Sequence, residues 1–164
     1  MKNKKKIEKQ SNNILYNNIS SALYTKFDGE RYFLASMDID GEFLCFSASK
    51  QVLKSVEAKD ILYVDGKFGL FVEDSNIQLF FIIKKLEYEN NNIPCSRGII
   101  VAAGIVPTKQ QESYTIFFAL FKKFLRQAKD VDSFIPKQFR MDFEMSIIIG
   151  VEANFRESQL RFCQ

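Results

Sequence analysis

Ile61-Leu62-Tyr63-Val64-Asp65-Gly66-Lys67-Phe68-Gly69 decides how the rest of the chain is read. Ile61 to Val64 are apolar or aromatic with no polar alternation. That pattern predicts a central strand covered on both faces. Asp65 then interrupts the run. A carboxylate in a core strand costs several kcal/mol unless something compensates it, and a metal cation is one such compensation. Gly66 lets the backbone pass a ligand closely, or simply permits a bulge. Two readings of Asp65 stand at this point: a strand-end residue capping a turn, and a metal ligand.

The surrounding composition narrows the choices. A chain of 164 residues suits one domain, and 46% hydrophobic residues with 17 Phe can fill its core. The sequence has no His. Imidazole general-base chemistry and histidine-based zinc sites are therefore excluded. Cys45, Cys95 and Cys163 show no CxxC spacing and form no disulfide framework. No apolar run reaches the ~18–20 residues of a membrane helix, and the polar N-terminus has no signal-peptide core. An intracellular protein is expected. The net charge of +3 is uneven, because residues 1–13 carry five Lys and one Glu and leave 18 basic and 19 acidic residues elsewhere. Any nucleic-acid contact must then rest on local patches.

Outward from Asp65, the chain divides into three parts. Residues 1–13 are expected to be a disordered basic tail, with Lys4-Lys5-Lys6 either solvated or contacting phosphate. Residues 14–60 form a lead-in. It holds strands near Tyr32–Ser36 and Glu42–Ser47, a turn at Asp38-Ile39-Asp40-Gly41 and a helix near Ser49–Ala58. Residues 61–164 form the main unit. After Asp65 come a turn at Glu73–Asn76, an apolar strand at Ile77–Leu86, a polar loop at Tyr88–Ser96 and a buried strand at Gly98–Val106.

A helix follows. Thr108 and Gln111 make a capping box, and Tyr114, Phe117, Phe118, Phe121, Leu125 and Ala128 make one apolar stripe. Lys122, Lys123 and Arg126 sit off its centre, either as a solvated helix end or as phosphate contacts. A short strand at Phe139–Asp142, a helix from Phe143-Glu144 to about Ala153 and a last strand at Ser158–Cys163 complete the order. Strand-helix-strand returns are right-handed, which places the Asp142 strand parallel to the Asp65 strand. Two carboxylates on neighbouring strands suit a divalent metal.

Tyr63-Val64-Asp65-Gly66-Lys67-Phe68, then Pro107-Thr108-Lys109 through Tyr114, then Asp142-Phe143-Glu144 and finally Arg161-Phe162-Cys163 follow one another in this order. The series resembles the transposase domain of Mutator-like elements (MULE). That family has an Asp-Gly-Thr-Phe strand, a Pro-x-Lys-x-x-x-x-Tyr helix start, an Asp-Phe-Glu strand end and a Cys-x-Phe-His motif. The resemblance spans about residues 31 to 164. It implies an α/β, RNase H-like mixed sheet with flanking helices, preceded by a small hairpin-helix unit. It also implies DDE-type chemistry, with Asp65 and Asp142 as catalytic metal ligands for Mg2+ or Mn2+ in a two-metal site. The implied partner is DNA, and the implied location in a eukaryotic host is the nucleus.

The chain departs from the family in places. Lys67 stands where the family has Thr. The family's His and third acidic residue would lie past Gln164, so a truncated domain, inactive alone, is expected. Glu144 matches the Asp-Phe-Glu motif, not the distant catalytic acid, and Cys163 lacks its His. Two other readings remain: a domesticated, non-catalytic DNA- or protein-binding module, and another RNase H-like nuclease completed by Glu144 or Glu152.

Overall fold

The computed structural model describes residues 24–27, 30–39, 42–68, 77–107 and 109–163. Its elements run β1 (Tyr24–Phe27), β2 (Glu30–Ile39), β3 (Glu42–Ser49), α1 (Lys50–Ser55), β4 (Ile61–Phe68), β5 (Gln78–Asn90), β6 (Ile93–Val106), α2 (Gln111–Lys129), β7 (Gln138–Met141), α3 (Met145–Asn154) and β8 (Gln159–Phe162). All eight strands belong to one mixed sheet, ordered β1-β2-β3-β6-β5-β4-β7-β8. The chain is an α/β protein. The β4–β7 and β7–β8 pairs are parallel and every other pair is antiparallel.

Helix α2 explains why the sheet has a covered face. Its 19 residues carry ten buried side chains, including the whole stripe from Tyr114 to Ala128. Phenylalanine rings link it to the sheet in an unbroken series. Phe33 stacks on Phe124 at 4.7 Å, Phe124 on Phe46 at 5.4 Å, and Phe46 meets Phe117 at 5.1 Å. Phe80 stands edge-on to Phe117 at 5.0 Å and to Phe118 at 5.9 Å. Phe118 meets Phe139 at 6.0 Å, and Phe139 meets Phe155 at 5.1 Å. Such pairs contribute about 0.5–1.5 kcal/mol each beyond area burial. The series runs from β2 to the end of α3, so lead-in and main unit share one core.

Several expectations are revised. The part read as a lead-in, residues 14–60, joins the same sheet where it is described: Cys45, Phe46 and Ser47 of β3 pair with Ile105, Gly104 and Ala103 of β6. Strand β4 is covered closely on one face: Leu62 and Val64 are buried, Tyr63 is half-buried and Asp65 is exposed. The expected loop at Tyr88–Ser96 is instead a continuation of β5 and β6. Asn91 and Asn92, both in the left-handed region at φ 51° and 63°, turn the chain between Asn90 and Ile93. Two adjacent positive φ values form the hairpin turn that matches strand twist, and Asn tolerates them. The helix near Ser49 is shorter than its pattern. Ser49 accepts the Val52 N–H at 3.2 Å, and the helix ends at Ser55. Gln110, not Thr108, is the N-cap of α2, and its side chain makes no cap bond. Thr108, Lys4–Lys6, the tail and the turns at 40–41 and 73–76 lie outside the described residues.

Lys122, Lys123 and Arg126 are half-buried rather than solvated. The Lys122 ammonium donates to the Asn154 carbonyl and lies 5.6 Å from the Phe155 ring centre. Burial holds the Lys122 and Lys123 ammonium groups below their ordinary pKa. Lys122 thus ties α2 to the end of α3.

Gly104 marks the tightest backbone contact of the sheet. A Cβ there would stand 2.1 Å from the Cys45 carbonyl oxygen and 2.7 Å from the Phe117 ring. Gly104→Ala is expected to lower stability by about 2 kcal/mol. Gly98→Ala, where the new atom would meet only Ile83 Cγ2 at 3.1 Å, should lose less than about 1 kcal/mol. Urea unfolding of the two variants against wild type measures both.

Candidate metal and phosphate site

The β4–β7 register sets the site. Ile61, Leu62 and Tyr63 pair with Gln138, Phe139 and Arg140. Asp65 and Asp142 each stand two residues beyond the last paired residues, Tyr63 and Arg140. Tyr63 and Arg140 occupy the same face one pleat earlier, with the guanidinium carbon 5.8 Å from the Tyr63 ring centre.

These residues line a cavity of about 480 Å³ together with Val64, Ile83, Lys85, Gly98 and Cys163. It opens on the sheet face away from the helix α2 core. The β5–β6 register shifts between Ile82 and Ile83, leaving Val101 as an extra residue. Such a bulge re-aims the strand beside it, and here that strand segment forms the cavity wall.

Both aspartates are exposed, which corrects the expectation of partly buried acids. Asp65 Oδ1 accepts the Gly66 N–H at 2.8 Å, and the Asp142 carbonyl accepts the Glu144 N–H at 2.8 Å. Among the described residues neither carboxylate is paired with a cation. Lys85 is held by Glu87 at 2.8 Å, which raises its pKa chiefly through that hydrogen bond. The donor set therefore offers two hard carboxylates open to solvent. That fits Mg2+, which keeps several waters and commonly takes one or two carboxylates plus substrate phosphate oxygens. Among the described residues no group of three or more Cys, Asp or Glu side chains gathers closely enough to hold a metal ion.

The remaining sequence candidates sort cleanly. Cys163 reaches the cavity rim, its N–H donating to the Met141 carbonyl at 2.9 Å. Lys67 is exposed on β4 and does not line the cavity. Glu152 is exposed on α3, also away from it. Glu144 turns inward instead: Tyr114 Oη lies 2.9 Å from Glu144 Oε1 and 2.8 Å from Gln78 Oε1. A phenol has one proton to donate. The carboxylate, the stronger acceptor, takes it, and a turned Gln78 amide can donate to the phenol oxygen.

Tyr63, Lys85 and Arg140 escaped the sequence reading. Their signal was the two-residue period, since Tyr63 and Arg140 each stand two before an aspartate. Comparison of the chain with protein-family models, with curated proteins and with solved structures gives no match. Among the described residues no helix is long and apolar enough to cross a membrane.

Burial, and then the hydrogen bond to Glu144, raise the Tyr114 pKa above the ordinary phenol value of about 10. The folded state therefore holds this proton more tightly than the unfolded chain. Its contribution to stability is complete below pH ~10 and is lost as pH rises further, with a slope of up to about 1.4 kcal/mol per pH unit. Tyr114→Phe is expected to flatten that alkaline loss. Unfolding free energies measured from pH 8 to 11.5 check it.

Proposed function

We propose that the chain carries the core of a DDE-type catalytic domain on an RNase H-like sheet, acting on DNA through divalent metal. One observation carries this reading: Asp65 within β4 and Asp142, just past the end of the parallel neighbour β7, line one open cavity. The strand order supports it as well. An antiparallel β4-β5-β6 meander, a helix, β7 parallel beside β4, a second helix and β8 parallel beside β7 is the series that the RNase H-like expectation describes.

In this reading Asp65 and Asp142 hold Mg2+ or Mn2+. A metal held there would supply Lewis acidity to the attacking oxygen and would offset charge on the leaving one. The chain's own part is to present two acids toward solvent, with Arg140 one pleat and Lys85 two pleats away. Arg140, stacked near Tyr63, is placed to meet a phosphate oxygen of a strand lying across the cavity. Lys85 is more constrained because Glu87 already holds it. Glu144 and Glu152 do not supply the third acid in this reading, the first because Tyr114 holds it and the second because it does not line the cavity. In this reading strand cleavage and transfer need a third carboxylate besides Asp65 and Asp142, and with those two alone the domain is inactive. In a eukaryotic host this reading implies action in the nucleus.

Mn2+ titration followed by water-proton relaxation tests the pair directly. Wild type is expected to bind, and Asp65→Asn and Asp142→Asn each to bind about tenfold or more weakly. Arg140→Gln should leave Mn2+ affinity intact and weaken binding to a DNA duplex. Salt-dependent DNA affinity with no Mn2+ binding at all would assign a non-catalytic binding module instead.

A further inference from the structure

Below the two aspartates lies a buried polar chain that ordinary core packing does not require. Gln78 opens β5 and is 2% exposed, and Tyr114 in the first turn of α2 is fully buried. Glu144 occupies the N-cap position of α3, where an acidic side chain normally accepts a helix N–H. Its carboxylate makes no such bond and goes to Tyr114 instead. Gly66 closes the other end, since a Cβ there would stand 1.8 Å from the terminal amide of Gln78. Only a residue without a side chain lets β4 lie this close to Gln78. Three elements thus converge on one phenol, and the ends of the chain adjoin the two acids. Gly66 directly follows Asp65, and Glu144 lies two residues beyond Asp142, to whose carbonyl its N–H is bonded.

We propose that Gln78, Tyr114 and Glu144 act as positioning residues, a clamp that sets the spacing between Asp65 and Asp142. The inference rests on the reading of these acids as a metal pair. Backbone pairing between β4 and β7 ends at Tyr63 and Arg140. Beyond that point parallel strands are free to splay, and like charges push them apart. The clamp joins the two strand ends from the helix side, leaving the acids open on the other. Gly150 seats α3 against it, because a Cβ there would meet Tyr114 backbone and Cβ atoms at 3.0 Å.

Amide hydrogen exchange by NMR, with Mn2+ titration of the same samples, tests the clamp. In Tyr114→Phe the Gly66 and Glu144 amides are expected to exchange about tenfold faster, while Phe124 and Leu125 amides in α2 keep their protection. Mn2+ affinity should fall about tenfold. Glu144→Gln keeps an acceptor for the phenol and should retain slow exchange. Glu144→Ala leaves the ring core intact and should repeat the Tyr114→Phe result, which covers the case where that variant does not fold. Unchanged exchange at Gly66 in the folded variants overturns the clamp, whatever the metal result. Faster exchange at both amides in a protein whose wild type binds no Mn2+ supports the clamp and removes the metal reading alone.

Discussion

The parallel contact between β4 and β7 is short, three residue pairs long, yet the rest of the molecule is arranged to secure it. Parallel pairing needs a crossover, and α2 supplies the long one, leaving the sheet at β6 and returning at β7. Lys137 N–H bonds to the Ala58 carbonyl at 2.7 Å just before the contact begins. Phe139, at its centre, is clasped by Phe118 and Phe155. Behind it Lys84 is driven into the core, where Asp60, at 2.6 Å, and the Ser55 carbonyl, also at 2.6 Å, meet its charge. Removing either partner would strand a nearly buried charge, which is far more harmful than losing the pair itself. The α1–β4 connection is therefore pinned in place, and with it the start of β4.

A division of labour between the two faces follows. One carries nearly all the aromatic packing energy. The other, lined in part by half-buried Leu79, Phe81, Ile83 and Ile105, also carries the polar groups: Asp65 and Asp142, with Arg140 one pleat behind and Lys85 two. Because side chains alternate across a strand, β4 and β7 serve both roles with successive residues: Leu62, Val64, Phe139 and Met141 are buried, while Asp65, Arg140 and Asp142 are exposed.

Much of this was legible in the sequence, and the failures have physical causes. The stripe from Tyr114 to Ala128 and the parallel neighbourhood of Asp65 and Asp142 were readable, because helical periodicity and crossover handedness are local or nearly universal rules. The ribbon at Tyr88–Ser96 was hidden by its polarity, since strands that leave the sheet bury neither face and lose the apolar signal. The union of residues 24–60 with the main sheet was hidden for the opposite reason: β3 and β6 meet across more than fifty residues, and no local pattern reports such a pairing. Glu144 was read by its neighbour Asp142 and not by Tyr114, its partner thirty residues earlier. Both missed contacts are long-range, and both had to come from three dimensions.

The unequal strand lengths have a mechanical consequence. Beyond Lys84, the last β5 residue paired with β4, residues 85–90 have only β6 for a neighbour among the described residues. At ~3.4 Å per residue this is an arm of about 20 Å. A two-stranded ribbon is marginal by itself, so the arm opens and closes at far lower free energy than the sheet that bears it. Its root is Lys85, on the cavity wall. Motion of this ribbon, with its tip at Asn91-Asn92, therefore begins at a residue of the cavity wall.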